Sequence, residues 1–150
     1  MLALGPYLVS ASADRTIRVW DSTSRRCLAV LEGHSRPVLA LAGRGRVFFS
    51  GSYDATVRGW LLEECREVGR GPVCVRCLGC LRGHADAVRA LCLVGSSLVS
   101  GSYDASLKVW DVGDWLDEGD GGGAGEEVFE EESGSEDGGE AGTETISAEQ

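Results

Sequence analysis

LVSASADRTIRVWD (8–21), FFSGSYDATVRGW (48–60) and LVSGSYDASLKVWD (98–111) are one unit written three times. Each copy is a short β-forming run, a turn containing an Asp, and a second β-forming run that ends in Trp. Thr16, Ile17, Val19 and Trp20 favour a strand, as do Leu8 and Val9, and Ala13-Asp14-Arg15 between them is a tight polar connection. The recurrence of Trp20, Trp60 and Trp110 at spacings of 40 and 50 residues marks a repeat architecture.

Outward from the unit, the order is kept. Residues 37–42 and 87–94 are mostly apolar on both faces and read as innermost, buried strands, while 27–31 and 77–81 read as outermost strands. Gly33-His34 and Gly83-His84 each stand about twenty residues ahead of an Asp, Asp54 or Asp104. These residues resemble the WD-repeat β-propeller family over residues 1–112, and three in-register copies make the match specific. The resemblance implies an all-β fold of four-stranded antiparallel blades and a binding platform rather than a catalyst.

The ends are expected to be incomplete. Met1 aligns with Leu41 and Leu91, so the first blade is read without its inner strand; after Trp110-Asp111 no outermost strand is read before an acidic tail. One complete and two incomplete blades cannot close a ring, which needs at least four, and would leave apolar faces and strand edges uncovered. The expectation is a fragment, short isoform or incomplete gene product of a larger propeller with a natural C-terminus, missing blades coming from upstream sequence or another chain. Self-assembly into a composite ring is the other route.

Charge divides the chain at Gly113. Residues 1–112 carry all 14 Lys and Arg against 10 Asp and Glu; residues 113–150 carry 14 acids and no Lys or Arg. A Gly-, Glu- and Ser-rich tail with few apolar residues is expected to be disordered and solubilising. Within it, Glu126-Glu127-Val128-Phe129-Glu130 reads as a candidate docking motif, and Ser133 and Ser135 as candidate sites for an acid-directed kinase. No segment reads as a membrane span or secretion signal, the cationic side chains are spread rather than clustered for nucleic acid, and a cytoplasmic or nuclear protein is expected.

Cys74, Cys77 and Cys80 with His84 suggest zinc by spacing. Shifting by 50 residues places Cys77 on Cys27, Cys80 on Val30 and His84 on His34, so ordinary repeat positions explain most of the set. No metal or cofactor is expected, and reduced thiols are. A Ser-His-Asp catalytic reading fails on repetition, since the same set recurs in two blades.

By the family resemblance these residues instead form buried hydrogen-bonded networks: His34, Ser50 or Ser52, Asp54 and Trp60; His84, Ser100 or Ser102, Asp104 and Trp110; and Asp14 with Trp20 in the first blade, which has no His. The second blade departs from the pattern at Gly59 and Leu61, and it carries ten extra residues within LLEECREVGRGPVCVR (61–76), read as a long surface loop or a contact loop. The resemblance also puts Tyr53 and Tyr103 on the narrower top face, with Ala13 equivalent, and Arg36 and Asp86 near the central opening, as candidate partner contacts. The function implied is a protein-interaction scaffold binding a peptide or domain of a partner. The alternatives are the substrate-recruiting part of a longer ubiquitin ligase or kinase, and a small zinc protein built on Cys74, Cys77 and Cys80.

Overall fold

The structure, a computed structural model, describes residues 1–65 and 71–120, and the backbone of 144–147. Three four-stranded antiparallel sheets follow one another along the chain. The first holds β1 (Leu2–Leu4), β2 (Tyr7–Ala11), β3 (Ile17–Asp21) and β4 (Cys27–Leu31). The second holds β5 (Val38–Arg44), β6 (Val47–Ser52), β7 (Val57–Glu64) and β8 (Val73–Leu81). The third holds β9 (Val88–Val94), β10 (Ser97–Ser102), β11 (Ser106–Asp111) and β12 (Glu144–Ser147), with a helix α1 (Gly113–Gly119) between the last two. The first strands, β1, β5 and β9, pack side by side, so the blades fan out from one inner line as an open partial propeller.

Period-two alternation sends each strand's side chains to two different neighbours. On β6, Phe48 faces the first sheet and stacks on Trp60 with centroids 6.3 Å apart. Phe49, its neighbour in sequence, faces the third sheet instead. The layer between the first two sheets joins Val9, Ile17, Val19 and Leu31 to Val38, Phe48, Trp60 and Leu62. That between the second and third joins Val47, Phe49, Val57 and Leu61 to Val88, Leu98 and Trp110. Phe48 and Phe49 are completely buried, each worth about 2–3 kcal/mol of apolar transfer. Strand β6 of the second blade and β9 of the third come so close that a Cβ on Gly51 would lie 2.8 Å from Val88 Cγ1.

Four expectations are corrected. The first blade does have an inner strand, the three residues of β1, because Leu4 is buried and Leu2 to Leu4 pair with Tyr7 to Val9. The third blade has a fourth strand, since β12 pairs antiparallel with β11 from Ser106↔Ser147 to Val109↔Glu144. The boundary at Gly113 is also wrong: α1 belongs to the folded part, with Leu116 buried at 5% exposure and Val112 at 2%. Its acids, Asp114, Asp117 and Glu118, dominate composition, whereas Trp115 and Leu116 decide packing.

The fourth correction concerns the insertion. It lengthens the β7–β8 hairpin, pairing Leu61↔Arg76 through Glu64↔Val73, and Leu62 and Val73 add to the layer against the first sheet. Only 66–70 of it fall outside the described residues, as do 121–143 with the candidate docking motif, Ser133 and Ser135.

Candidate functional site: polar networks and the turn face

The second and third blades build the same network twice. In the second, Trp60 Nε1 donates to Ser50 Oγ at 2.9 Å, Ser50 Oγ lies 2.7 Å from His34 Nε2, and His34 Nδ1 lies 2.8 Å from Asp54 Oδ2. An indole N–H can only donate and a carboxylate can only accept, so Ser50 accepts from Trp60, Asp54 accepts from His34 Nδ1, and the Ser50 hydroxyl donates to Nε2 of the neutral His34. The imidazole therefore carries its hydrogen on Nδ1 and donates it to the Asp54 carboxylate. The third blade repeats the chain as Trp110, Ser100, His84 and Asp104 at 2.8, 2.7 and 2.8 Å.

The serine ambiguity resolves by position. Ser50 and Ser100 hold the networks, while Ser52 Oγ donates to the Arg36 and Pro37 carbonyls and accepts from Asp54 N, tying the turn to the approach of the inner strand. Ser102 does the same with the Asp86 carbonyl and Asp104 N. Thr56 and Ser106, absent from the sequence-derived set, complete the networks: each hydroxyl donates to Oδ1 of the turn Asp at 2.6 Å. A hydroxyl two residues after each Asp, Thr16 included, was the available signal. In the first blade Trp20 still donates to Ser10 at 2.9 Å and Asp14 still accepts from Thr16, with no histidine joining the halves.

Burial lowers the His34 pKa below the ordinary 6.5, and the pull of Asp54 does not overcome it. Burial would raise Asp54, but the Thr56 hydroxyl and His34 hold it below the usual 3.8; Asp104 is held well below by Ser106, the Ala85 N–H and His84 against the same burial effect. The signs agree. The unfolded chain binds the extra proton first, below 6.5 for His34 and below 3.8 for the carboxylates, so stability is complete above 6.5 and is lost as pH falls. The urea midpoint is expected to be level from about pH 8 to 7, to decline as pH falls below 6.5, and to drop further as it falls below 3.8. A midpoint that rises between about pH 7 and 5 would contradict a neutral His34.

Both ring nitrogens of His84 are engaged, leaving none for a metal, and among the described residues no group of three or more His, Cys, Asp or Glu is placed to hold one. Cys74, Cys77 and Cys80 lie along β8 opposite Glu63, Trp60 and Arg58.

The Asp turns present the residues outside the networks. Ser12, Ser52 and Ser102 carbonyls each accept from the N–H three residues on, and Arg15, Ala55 and Ala105 there have φ of 76°, 68° and 65°. Tyr53 and Tyr103 stand out at 46% and 53% exposure, fixed by N–H bonds to the Pro37 and Ala87 carbonyls. Tyr53 and Arg36 share a depression of about 350 Å³ with Ala13, Arg15, Ser35 and Pro37. Tyr103 lines a different one of about 440 Å³, where Arg89 donates to its hydroxyl at 2.5 Å and covers its ring at 5.3 Å. Asp86 lines neither, and its carboxylate accepts from Ala87 N. Arg15 and Arg89 were not among the sequence-derived contacts.

The family model described as "WD domain, G-beta repeat" matches residues 3–21, 25–60 and 75–111. Among curated proteins the chain is similar to "Mitochondrial division protein 1" of Aspergillus clavatus, 43% identical over 63 residues, covering 42% of this chain and 10% of that protein. The counterpart of the same name in Pyricularia oryzae is 46% identical over 57 residues, covering 38% and 9%. The chain thus spans about a tenth of the length of these relatives. Among solved structures it is similar to "Crystal structure of RRP9 WD40 repeats", with TM-score 0.59, 29% identity, and 73% of this chain covered against 32% of that one. It is also similar to the computationally designed Ika8 protein, with TM-score 0.60, 30% identity, and coverage of 75% and 32%.

Proposed function

Because the chain belongs to the WD domain, G-beta repeat family, we propose that it serves as a protein-interaction scaffold whose partner docks on the face formed by its Asp turns. WD repeats are generally such scaffolds and typically non-enzymatic. One observation carries the reading for this chain: Tyr53 and Tyr103, rigidly anchored by their backbones, project half-exposed from equivalent turns while the polar residues behind them are consumed in structure. Aromatic side chains and arginines on a rigid support lose little entropy when they bind, which suits them to contact hot spots. Arg36 and Asp86 flank the same face as accessory contacts. No catalytic residue is assigned, since each histidine is spent on its own serine and aspartate. We place the protein in the cytoplasm or nucleus, a setting supported by the six free thiols.

The test is positional. A photo-crosslinking amino acid at position 53 or 103, carried by the full chain in its native cell extract, is expected to capture a protein, whereas the same group at exposed Ser96 on the β9–β10 turn is expected to capture none. Capture from position 96 alone would overturn the assignment of the face.

A further inference from the structure

The three repeats control for one another. A residue that the fold requires should recur at the equivalent position, so a residue that departs from its equivalents without a structural task points to something outside the fold. Arg15 departs in this way. It occupies the left-handed turn position that the other repeats fill with Ala55 and Ala105, and a long side chain gains no ease in that conformation. Arg36 departs too, since its equivalent fifty residues on is Asp86.

Both departures fall in one place. Arg15 from the first blade and Arg36 from the second line the depression of about 350 Å³ beside Tyr53 and Pro37. At the corresponding junction of the second and third blades the same two positions carry Ala55 and Asp86, and the cation there, Arg89, is engaged on Tyr103. Among the described residues neither guanidinium forms an ion pair. The nearby carboxylates are committed: Asp54 accepts from His34, Ser35 N and Thr56, and Asp14 accepts from Thr16. Glu32 borders a neighbouring depression shared with Arg15 and lies outside this one.

We infer that the junction of the first and second blades is a docking site for an acidic peptide segment of a protein partner, with Arg15 and Arg36 pairing to its carboxylates and the Tyr53 ring and Pro37 receiving an adjacent apolar side chain. This rests on the turn face being the docking face. Guanidinium forks suit carboxylates, and a Tyr ring beside them supplies apolar area at small entropic cost. The junction of the second and third blades has Ala55 and Asp86 at these two positions and its Arg89 already engaged by Tyr103, so it offers the segment no matching arginine pair and binding has one register on the face.

The probe is a fluorescein-labelled Glu-Glu-Phe-Glu-Glu peptide added to the full chain, with its Gln-Gln-Phe-Gln-Gln counterpart as control. The acidic peptide is expected to bind saturably, the Gln peptide not, and raising salt from about 50 to about 500 mM should weaken binding severalfold. The double variant Arg15→Ala/Arg36→Ala is expected to lose about tenfold in affinity, while Arg25→Ala/Arg26→Ala, two exposed cations of the β3–β4 loop, changes it by less than about twofold. Equal losses in the two double variants would reduce the effect to net charge and overturn the site. So would no binding to the full chain, or complete displacement by millimolar inorganic phosphate, which would assign the arginines to phosphate instead. Photo-crosslinking from position 53 separates the two levels: capture that persists when the acidic peptide fails leaves the face standing and removes only the acidic partner, and loss of both removes the face as well.

Discussion

Replacing Asp54 by Ala is expected to lower the unfolding free energy by about 2–4 kcal/mol, because several donors lose one acceptor at once. His34 Nδ1–H, the Ser35 N–H and the Thr56 N–H and hydroxyl all converge on that carboxylate. His34 is buried at 6% exposure. An unpaired buried donor costs more than a hydrogen bond contributes, and the chain from Trp60 through Ser50 and His34 loses its terminus. Asp14→Ala provides the internal comparison: the same turn residue, the same Thr partner, but a fully exposed carboxylate with no histidine behind it. Its effect should be a small fraction of that of Asp54→Ala. Asp54→Asn should fall between them, since it keeps the Thr56 acceptor and presents an amide N–H or a weaker acceptor to His34. Urea titrations followed by tryptophan fluorescence decide this; equal losses at Asp14 and Asp54 would mean that the turn matters and the network does not.

Trp115→Ala is expected to cost about 2–4 kcal/mol, somewhat under a fully buried tryptophan because the ring is partly exposed. The indole lies against paired glycines of the second blade: a Cβ on Gly59 would stand 2.7 Å from Trp115 Cε3 and Cζ3, and one on Gly79 2.9 Å from Cζ2. Phe49, the cross-strand neighbour of Gly59, lies alongside with its ring nearly parallel to the indole, centroids 6.1 Å apart. Leu116 continues into the same layer, Arg46 Nε donates to the Gly119 carbonyl at 2.8 Å, and Arg76 pairs with Glu118 at 2.7 Å. The helix is too short to persist by itself, so its seat stabilises it rather than its propensity. Gly59→Ala should then be costly in the native chain, since a rigid ring must move, and nearly harmless once Trp115 is Ala. A double-mutant cycle measures that coupling, expected at about 1–3 kcal/mol. Additive losses would show that the glycines serve the strand and not the helix. The surface pair Arg76–Glu118, more than a third exposed on both sides, is expected to contribute little.

Gly59 shows where sequence reading ends. As a departure from the repeat it was visible; its reason was not, because the ring that needs the space is contributed from 56 positions away. The helix itself was hidden by its acids, and the extended β7–β8 hairpin by an insertion that looked like surplus length. Ser50 and Ser52 could not be told apart by spacing alone. Their strand register separates them, Ser50 lying opposite Arg58 beneath Trp60 and Ser52 at the turn opposite Val38.

The sequence by itself determined the repeat, the order of strands within each blade, and the identity of the His, Asp and Trp that close each network. Those are local regularities, repeated in register, and each copy corroborates the others. Only the tertiary structure decided which serine links Trp to His, that Trp115 fills the notch over Gly59 and Gly79, that β12 takes the fourth place in the third sheet, and that Arg15 and Arg36 meet at one junction. Each of these depends on groups brought together from distant positions, where nothing in the local pattern constrains the approach and close packing alone selects the partner.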